Sequence, residues 1–412
     1  MLNKHTARIG TVLLALVAVA LLILVPGAPA AKEQGRKIMI WADKDRKAAV
    51  ENVARAWGNR RGIEVDVVEK GFGDIRDKLG TVSPNEAPDV IVGAHDWTGE
   101  LAANGLVQTL NLTRAVRRSF PGYSLQAFSY NGRLYGTPVA LENVGLVVNT
   151  RLVKVPTTFA QLERSALAFK RKNADNLGIA VPQGAGGDAY HMYPFFSGLG
   201  GYVFGRAKNG ALQPKRLGLA TRTFLNNAPM IDRWNRLGLI NSKVDYNTAK
   251  DAFLKGKAAY WITGPWEADT LKTSGLRFRI IQVPRIKFRA VPFLGVQGYM
   301  VTRYATGHGV TSLAKDLVAS HMTTAASQQG LAAANNRFPA NRIAGRRVTD
   351  PVLAQFGRAG AGGVPMPNIP QMASVWGELG GAWVKATKGE GATSARSAFL
   401  TAARNIASKI GG

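Results

Sequence analysis

From residue 37 the chain opens with an apolar burst, Ile38-Met39-Ile40-Trp41, followed by Ala48, Val50, Val53, Ala54 and Trp57 at helical spacing. Gly62 stops that helix, and "IEVDVVE" then alternates apolar and polar residues with the period of two of a half-buried strand. The stretch "APDVIVGAHDWTGELAANGLV" repeats the plan: a buried strand Val90-Ile91-Val92, a glycine turn, and a short helix from Thr98. Strands alternating with helices predict an α/β fold built on a largely parallel sheet covered on both faces. Ligands of such sheets bind beyond the carboxyl ends of the strands, which points to Trp41–Arg46 and Gly93–Trp97.

Further on, "NGRLYGTPVALENVGLVVNTRLV" predicts a glycine-turn hairpin running into a strand over Val144–Val148. Helices are expected over 158–172, 217–238 and Asn247–Lys255. The strand in "KAAYWITGPWEADTL" ends at Gly264-Pro265, with Pro265 suited to the first position of a helix. "FRIIQVPRI" and "GVQGYMVT" read as further strands, and "GRAGAGGVPMP" as the most flexible piece. In "MPNIPQMASVW", Pro367 and Pro370 cannot lie deep in a helix. They mark an ordered bend, either a core-packed loop or the mount of an aromatic platform.

A chain of 412 residues, 46% hydrophobic and 19% charged, is globular and long enough for two or three domains. The net charge of +27 would suit an anionic partner. The cations are spread along the chain, however, with no block of five or six and no nucleic-acid signature, so no nucleic-acid partner is expected. The absence of cysteine excludes disulfides, thiolate chemistry and a lipidated-cysteine anchor. Residues 1–30 read as a signal peptide: Lys4 and Arg8, the apolar run Val12–Val25, and Ala28-Pro29-Ala30 as a cleavage site. Cleaved, or retained as a membrane anchor, it places the rest of the chain outside the cytoplasm.

Catalytic patterns are missing. His95, His191, His308 and His321 are scattered without metal spacing, and there is no H-E-x-x-H, G-x-S-x-G or P-loop. No metal or cofactor is expected.

The ordered series "GRKIMIW", "RGIEV", "APDVIVGAHD", "NGRLYGTPVALE", "GLGGYVF", "AFLKGKAAYWITGPW", "FLGVQGY" and "MPNIPQM", from about Lys37 to the C-terminus, resembles the maltose/maltodextrin-binding family of extracellular solute-binding proteins. That resemblance implies a two-lobed periplasmic-binding-protein-like fold with a sugar cleft between the lobes. It also implies a monomer that hands its oligosaccharide, an α-glucan, to the membrane subunits of an ABC importer. Lobe one would be residues 31–143 and 287–340, and lobe two residues 144–286 and 341–412. Residue by residue, the acidic and basic positions four and five after Trp41 are Asp45 and Arg46, with Asp43 competing with Asp45. The carboxylate of "AHD" is Asp96 and that of "PVALE" is Glu142. The lobe-two acid and aromatic fall on Asp188 and Tyr190, and "GPW" supplies Trp266. Met366 and Trp376 would project from lobe two. Where the family's well-studied maltose binder has a tryptophan this chain has Gly93, where it has an arginine there is Trp97, and a second arginine is replaced by Gly380. Trp97 therefore joins the candidates, and a longer or cyclic maltodextrin fits the changes better than maltose.

The same residues admit plainer roles. Asp96 could cap the helix from Thr98, and Trp266 could be core. Trp41, Trp234 and Trp383 are assigned to the core. Two rival functions keep the cleft: a glycosidase using a pair among Asp43, Asp45, Asp96, Glu142 and Asp188, and capture of an anionic saccharide. The acidic character of the cleft residues speaks against the second.

Overall fold

A computed structural model describes residues 36–411 except positions 209 and 335; the leader read in residues 1–30 lies outside the described residues. The first strands are β1 (Lys37–Ala42), β2 (Glu64–Glu69) and β3 (Val90–Ala94). A small hairpin follows, β4 (Ser129–Tyr130) and β5 (Arg133–Leu134), then β6 (Gly136–Glu142) and β7 (Gly145–Asn149). Beyond these come β8 (Phe204–Arg206), β9 (Leu212–Leu217), β10 (Tyr260–Thr263), β11 (Phe278–Ile281) and the long β12 (Phe293–Val301). Two short strands close the set, β13 (Phe338–Pro339) and β14 (Val364–Pro365).

One seven-stranded sheet runs β13-β6-β12-β3-β1-β2, with β14 pairing the start of β12. A separate three-stranded sheet runs β10-β7-β11. The chain leaves the first sheet at Glu142 and enters the second at Gly145, with only Asn143 and Val144 between strand end and strand start. It comes back between Ile281 and Phe293. The opening β-α-β unit matches the sequence pattern: β1 pairs β2 and β3 in parallel, and the helix Lys44–Asn59 buries Val50, Ala54 and Trp57. Apart from the short β12–β14 pair, the rest of the sheet is antiparallel, against expectation. β12 runs against both β3 and β6 because it re-enters from the other lobe, in the opposite sense to the outgoing strand.

The expected single helix over 217–238 is three pieces: a 3₁₀ turn Gly218–Ala220, then helices Arg222–Asn227 and Pro229–Leu237. Pro229 has no N–H to continue the first helix and starts the next instead. The glycine-rich "GRAGAGGVPMP" is likewise more ordered than expected. Its start closes the helix Pro351–Ala359 and its end forms β14. A Cβ on Gly360 would lie 2.4 Å from Asn143 Oδ1, and one on Gly363 2.7 Å from Leu294. These glycines serve close approach at the crossing, not looseness. The β4–β5 hairpin turns on Asn131 and Gly132, at φ 48° and 73°, as a two-residue primed turn requires.

Trp41, Trp57, Trp234, Trp261 and Trp383 are fully buried. Among the described residues no helix is long and apolar enough to cross a membrane.

Candidate functional site

A cavity of about 1040 Å³ lies beyond the carboxyl ends of β1, β3 and β6 and is walled on its other side by residues of the second lobe. All eleven residues singled out from the sequence line it: Asp43, Asp45, Arg46, Asp96, Trp97, Glu142, Asp188, Tyr190, Trp266, Met366 and Trp376.

The floor is a chain of charged and amide groups. Asp43 caps the helix Lys44–Asn59 through Oδ1, and its Oδ2 accepts from Arg46 Nε at 2.5 Å. Arg46 Nη1 donates to Gln297 Oε1 at 2.5 Å, and Gln297 Nε2 donates to Glu142 Oε1 at 2.6 Å. Arg337 Nε donates to the other Glu142 oxygen. Burial alone would raise the Glu142 carboxyl, but Arg337 and Gln297 more than offset it and hold it below its ordinary value. Of the two competing aspartates, Asp43 is committed to the cap and to Arg46, while Asp45 stands exposed at the rim.

The walls are aromatic. Trp266 lies flat over Gly264, where a Cβ would be 2.2 Å from Cζ3 of the indole. Its Nε1 donates to Tyr246 Oη at 2.6 Å, and Tyr246 in turn donates to Glu267 Oε1 at 2.5 Å, which Lys250 also neutralises. The Arg337 guanidinium sits 5.7 Å from the Trp266 ring centre. Tyr190 is 6.3 Å from Trp266 and from Phe293, and among the described residues its buried hydroxyl has no partner. That hydroxyl is the kind of group a bound ligand would satisfy. Asp188 caps the helix Ala189–Gly198 through the N–H groups of Tyr190 and His191.

Across the cleft, Trp376 Nε1 donates to Asp96 Oδ2 at 3.0 Å. Burial pushes the Asp96 carboxyl from 3.8 to about 6, against the pull of that N–H. The residue preceding the helix Thr98–Ala103 at its N-cap is Trp97, not Asp96, and no side-chain cap hydrogen bond is made there among the described residues. Next to it His95 is fully buried: Val296 N donates to Nδ1, so Nε2 carries the proton given to the Met366 carbonyl. Burial drops its pKa to about 4, and the ring stays neutral.

Met366 does not project from lobe two as expected. Its carbonyl is held by His95 and its N–H by Leu294, while Asn368 Nδ2 donates to the carbonyls of Gln126, Ala127 and Ser129. The bend therefore docks on lobe one. Pro370 opens the 3₁₀ turn Pro370–Met372 that runs into the helix Ala373–Thr387, and that helix carries Trp376 to the cleft.

The departures at Gly93 and Gly380 have a steric basis. A Cβ on Gly93 would sit 2.2 Å from Trp97 Cζ3, so the Trp97 ring occupies the space above residue 93. Gly380 faces the backbone of Gly187, where a Cβ on Gly187 would be 2.1 Å from the Gly380 carbonyl. That contact excludes a side chain at 187 and leaves only a tight fit, 3.0–3.1 Å from the Gly186 and Gly187 backbone, for one at 380.

Sequence reasoning missed Arg337, Gln297, Phe72, Tyr246 and Glu267, all of which line the cavity. Phe72 is 39% exposed, packs 4.7 Å from Trp97 and lies under the Arg46 guanidinium at 4.8 Å. The spacing "KGFGD", with an aromatic between two glycines just after a strand, was the available signal.

Residues 52–348 match the family model described as bacterial extracellular solute-binding protein. The chain belongs to that family. Among the curated relatives of this binding protein is the galactooligosaccharide-binding protein of Bacillus subtilis (strain 168), 24% identical over 360 residues, 83% of this chain and 82% of the relative. The maltodextrin-binding protein of the same strain is 27% identical over 366 residues, 84% of each chain. The structure of the Thermus thermophilus maltotriose binding protein bound with maltotriose matches with a TM-score of 0.79 at 28% identity. It covers 91% of the binding protein described here and all of the other chain. The two-lobed periplasmic-binding-protein fold is thereby established.

Proposed function

We propose that this solute-binding protein captures a neutral oligosaccharide of the maltodextrin type in the cleft and delivers it, as a monomer outside the cytoplasm, to the membrane subunits of an ABC importer. One observation carries the reading: rings at Tyr190, Trp266 and Trp376 face hydroxyl-binding acceptors and donors at Asp43, Arg46, Asp96, Glu142 and Arg337 within one cavity. Rings cover the apolar C–H faces of a sugar, and charged groups take its rim of hydroxyls through strengthened hydrogen bonds. Its volume reaches the top of the usual range for ligand sites, about 300–1,000 Å³, which suits several linked sugar units better than one. The Phe72–Trp97 pair extends the apolar wall within lobe one and supports a longer glucan over maltose. In this reading the lobes are residues 31–143 with 287–340, and 144–286 with 341–412. The bend at 364–368 is the exception, anchored on lobe one.

A hydrolytic role is disfavoured by how the carboxylates are used. Glu142 is fixed in its ionised form between Arg337 and Gln297, and Asp43 is tied to Arg46. Asp96 is the carboxyl raised to about 6. Prolonged incubation with maltotriose tests the point; glucose release that is abolished in Glu142→Gln would overturn the binding-only reading.

The ligand is tested by calorimetry against maltose, maltotriose, longer maltodextrins, cyclodextrins and galacto-oligosaccharides. The expected result is micromolar affinity, about −8 kcal/mol, for maltotriose or longer glucans. Silence towards every α-glucan overturns the ligand class and leaves the family intact. A response to galacto-oligosaccharides alone would favour the second reading, which the similarity to the B. subtilis galactooligosaccharide-binding protein supports.

A further inference from the structure

Behind the 364–367 bend, on the side away from the sugar cleft, two open grooves adjoin. One, of about 640 Å³, carries Arg206, Arg216 and Arg289; the other, of about 750 Å³, carries Lys215, Arg216 and Arg404. They share Tyr202, Arg216 and Thr221 and so form one continuous surface. Five cations line it and, among the described residues, no carboxylate does. The sugar cleft is different: there six carboxylates stand among five cations.

The fold places these cations deliberately. The β8–β9 hairpin carries a register shift between Phe204 and Gly205, and Arg216 crosses over Gly205, where a Cβ would lie 2.9 Å from that of Arg216. The Arg216 guanidinium is steadied by Gln213 Oε1 at 2.7 Å, and Arg206 donates to the Gly210 carbonyl at 3.0 Å. Arg289 donates to the Ala361 carbonyl at 3.0 Å and lies over Gly362, at φ 75°. Arg404 donates to the Leu400 carbonyl. Every one of these anchors is a neutral oxygen, which orients the guanidinium without cancelling its charge. None of the five cations stands in an ion pair among the described residues. Between them lie the Thr223 hydroxyl and two aromatic surfaces, Tyr202 and the 42%-exposed Phe288, while the Ser197 and Thr221 hydroxyls donate to the Val291 and Gly218 carbonyls.

We propose that this double groove binds an anionic glycan, a polymer of sugar or polyol units carrying phosphate, sulfate or carboxylate at intervals. Uncompensated arginines take the charges in forked hydrogen bonds. The rings of Tyr202 and Phe288, with the Thr223 hydroxyl, read the sugar backbone, which neither a bare phosphate nor a flat membrane offers. The open shape suits a polymer passing through, and an extracellular binding protein meets such polymers in the cell envelope. Charge density concentrated here would hold the protein beside the envelope while the cleft remains free.

The test uses the mature protein and size-defined probes: a sulfated oligosaccharide, poly(glycerol phosphate), neutral dextran, single-stranded DNA and vesicles containing anionic lipid. Binding is followed by fluorescence anisotropy, with lipid co-sedimentation for the vesicles, at low and high salt. Arg206→Ala/Arg216→Ala/Arg289→Ala is compared with Arg114→Ala/Arg117→Ala/Arg118→Ala, which removes the same charge from the helix Arg114–Arg118 elsewhere on the surface. The groove variant should lose affinity for the anionic glycans by about tenfold or more, and the control by less than about twofold. An unchanged melting temperature shows that each variant is folded. Preference between the sulfated and phosphodiester probes identifies which anion the groove takes. Equal loss in the two variants would overturn the proposal, leaving only diffuse charge. So would tighter binding to DNA or vesicles than to either glycan, or displacement of the glycan by saturating maltotriose.

Discussion

Asp96 offers a direct test of how the cleft is built. Its carboxyl is 7% exposed, accepts one hydrogen bond from Trp376, and ionises near 6 in place of 3.8. A raised carboxyl pKa means that the folded state favours the protonated form. The associated stability is fully present below pH 3.8 and is lost as pH rises through about 6. The full swing is about 3 kcal/mol, of which about 2 kcal/mol falls between pH 4.5 and 8. Asp96→Asn keeps the size and an acceptor for Trp376 but cannot ionise. The variant should therefore be more stable than the parent by about 3 kcal/mol at pH 8 and by only about 1 kcal/mol at pH 4.5. Denaturant unfolding of both proteins at both pH values measures this. His95, lowered to about 4 by burial, acts in the opposite sense over the same range, so only the difference between the two proteins isolates Asp96. The same exchange should weaken oligosaccharide binding by about tenfold, since a neutral acceptor replaces a charged one. If the parent and Asp96→Asn show the same pH dependence of stability, Asp96 carries no burial penalty and the reasoning fails.

Arg337→Met leaves Glu142 buried without its cation and should cost about 3–5 kcal/mol in denaturant unfolding, most of it regained in Glu142→Gln/Arg337→Met. Gly93→Ala drives a methyl into Trp97 and should cost about 1–3 kcal/mol while weakening ligand binding; in a Trp97→Ala background, itself destabilised by loss of a buried ring, the same glycine change should cost nothing further. Trp266→Ala and Trp376→Ala should each weaken maltodextrin binding by at least about threefold in calorimetry, and unchanged affinity in both would mean that the rings are not platforms.

The residues that were legible in sequence sit where local patterns end. Asp43, Asp45 and Arg46 follow a strand and open a helix, Asp96 and Trp97 follow another strand, and Trp266 follows a strand closed by Gly-Pro. Those boundaries are written in periodicity and in turn residues, so the family pattern could be set on them in register. Arg337 and Gln297 carry no such mark. Gln297 is an internal position of β12 that reads like any buried strand residue, and it reaches Glu142 only because β6 and β12 pair antiparallel. Arg337 comes within reach after a turn in which Asn336 takes φ 51°. Long-range pairing creates both contacts, and nothing local announces them. The glycine run at 357–363 misled for a related reason: glycine marks freedom and tight contact alike, and only the partners Asn143 and Leu294 tell them apart.

The hydrogen-bonded series Asp43, Arg46, Gln297, Glu142 and Arg337 has a consequence for the medium around the protein. Its charges are matched to one another before any solute arrives, so no loose counter-ions gather on the cleft floor to be released when an uncharged ligand settles there. Uptake from brackish or fresh surroundings would begin from the same affinity. A protein whose exterior is strongly cationic thus keeps its working surface indifferent to the ionic weather outside.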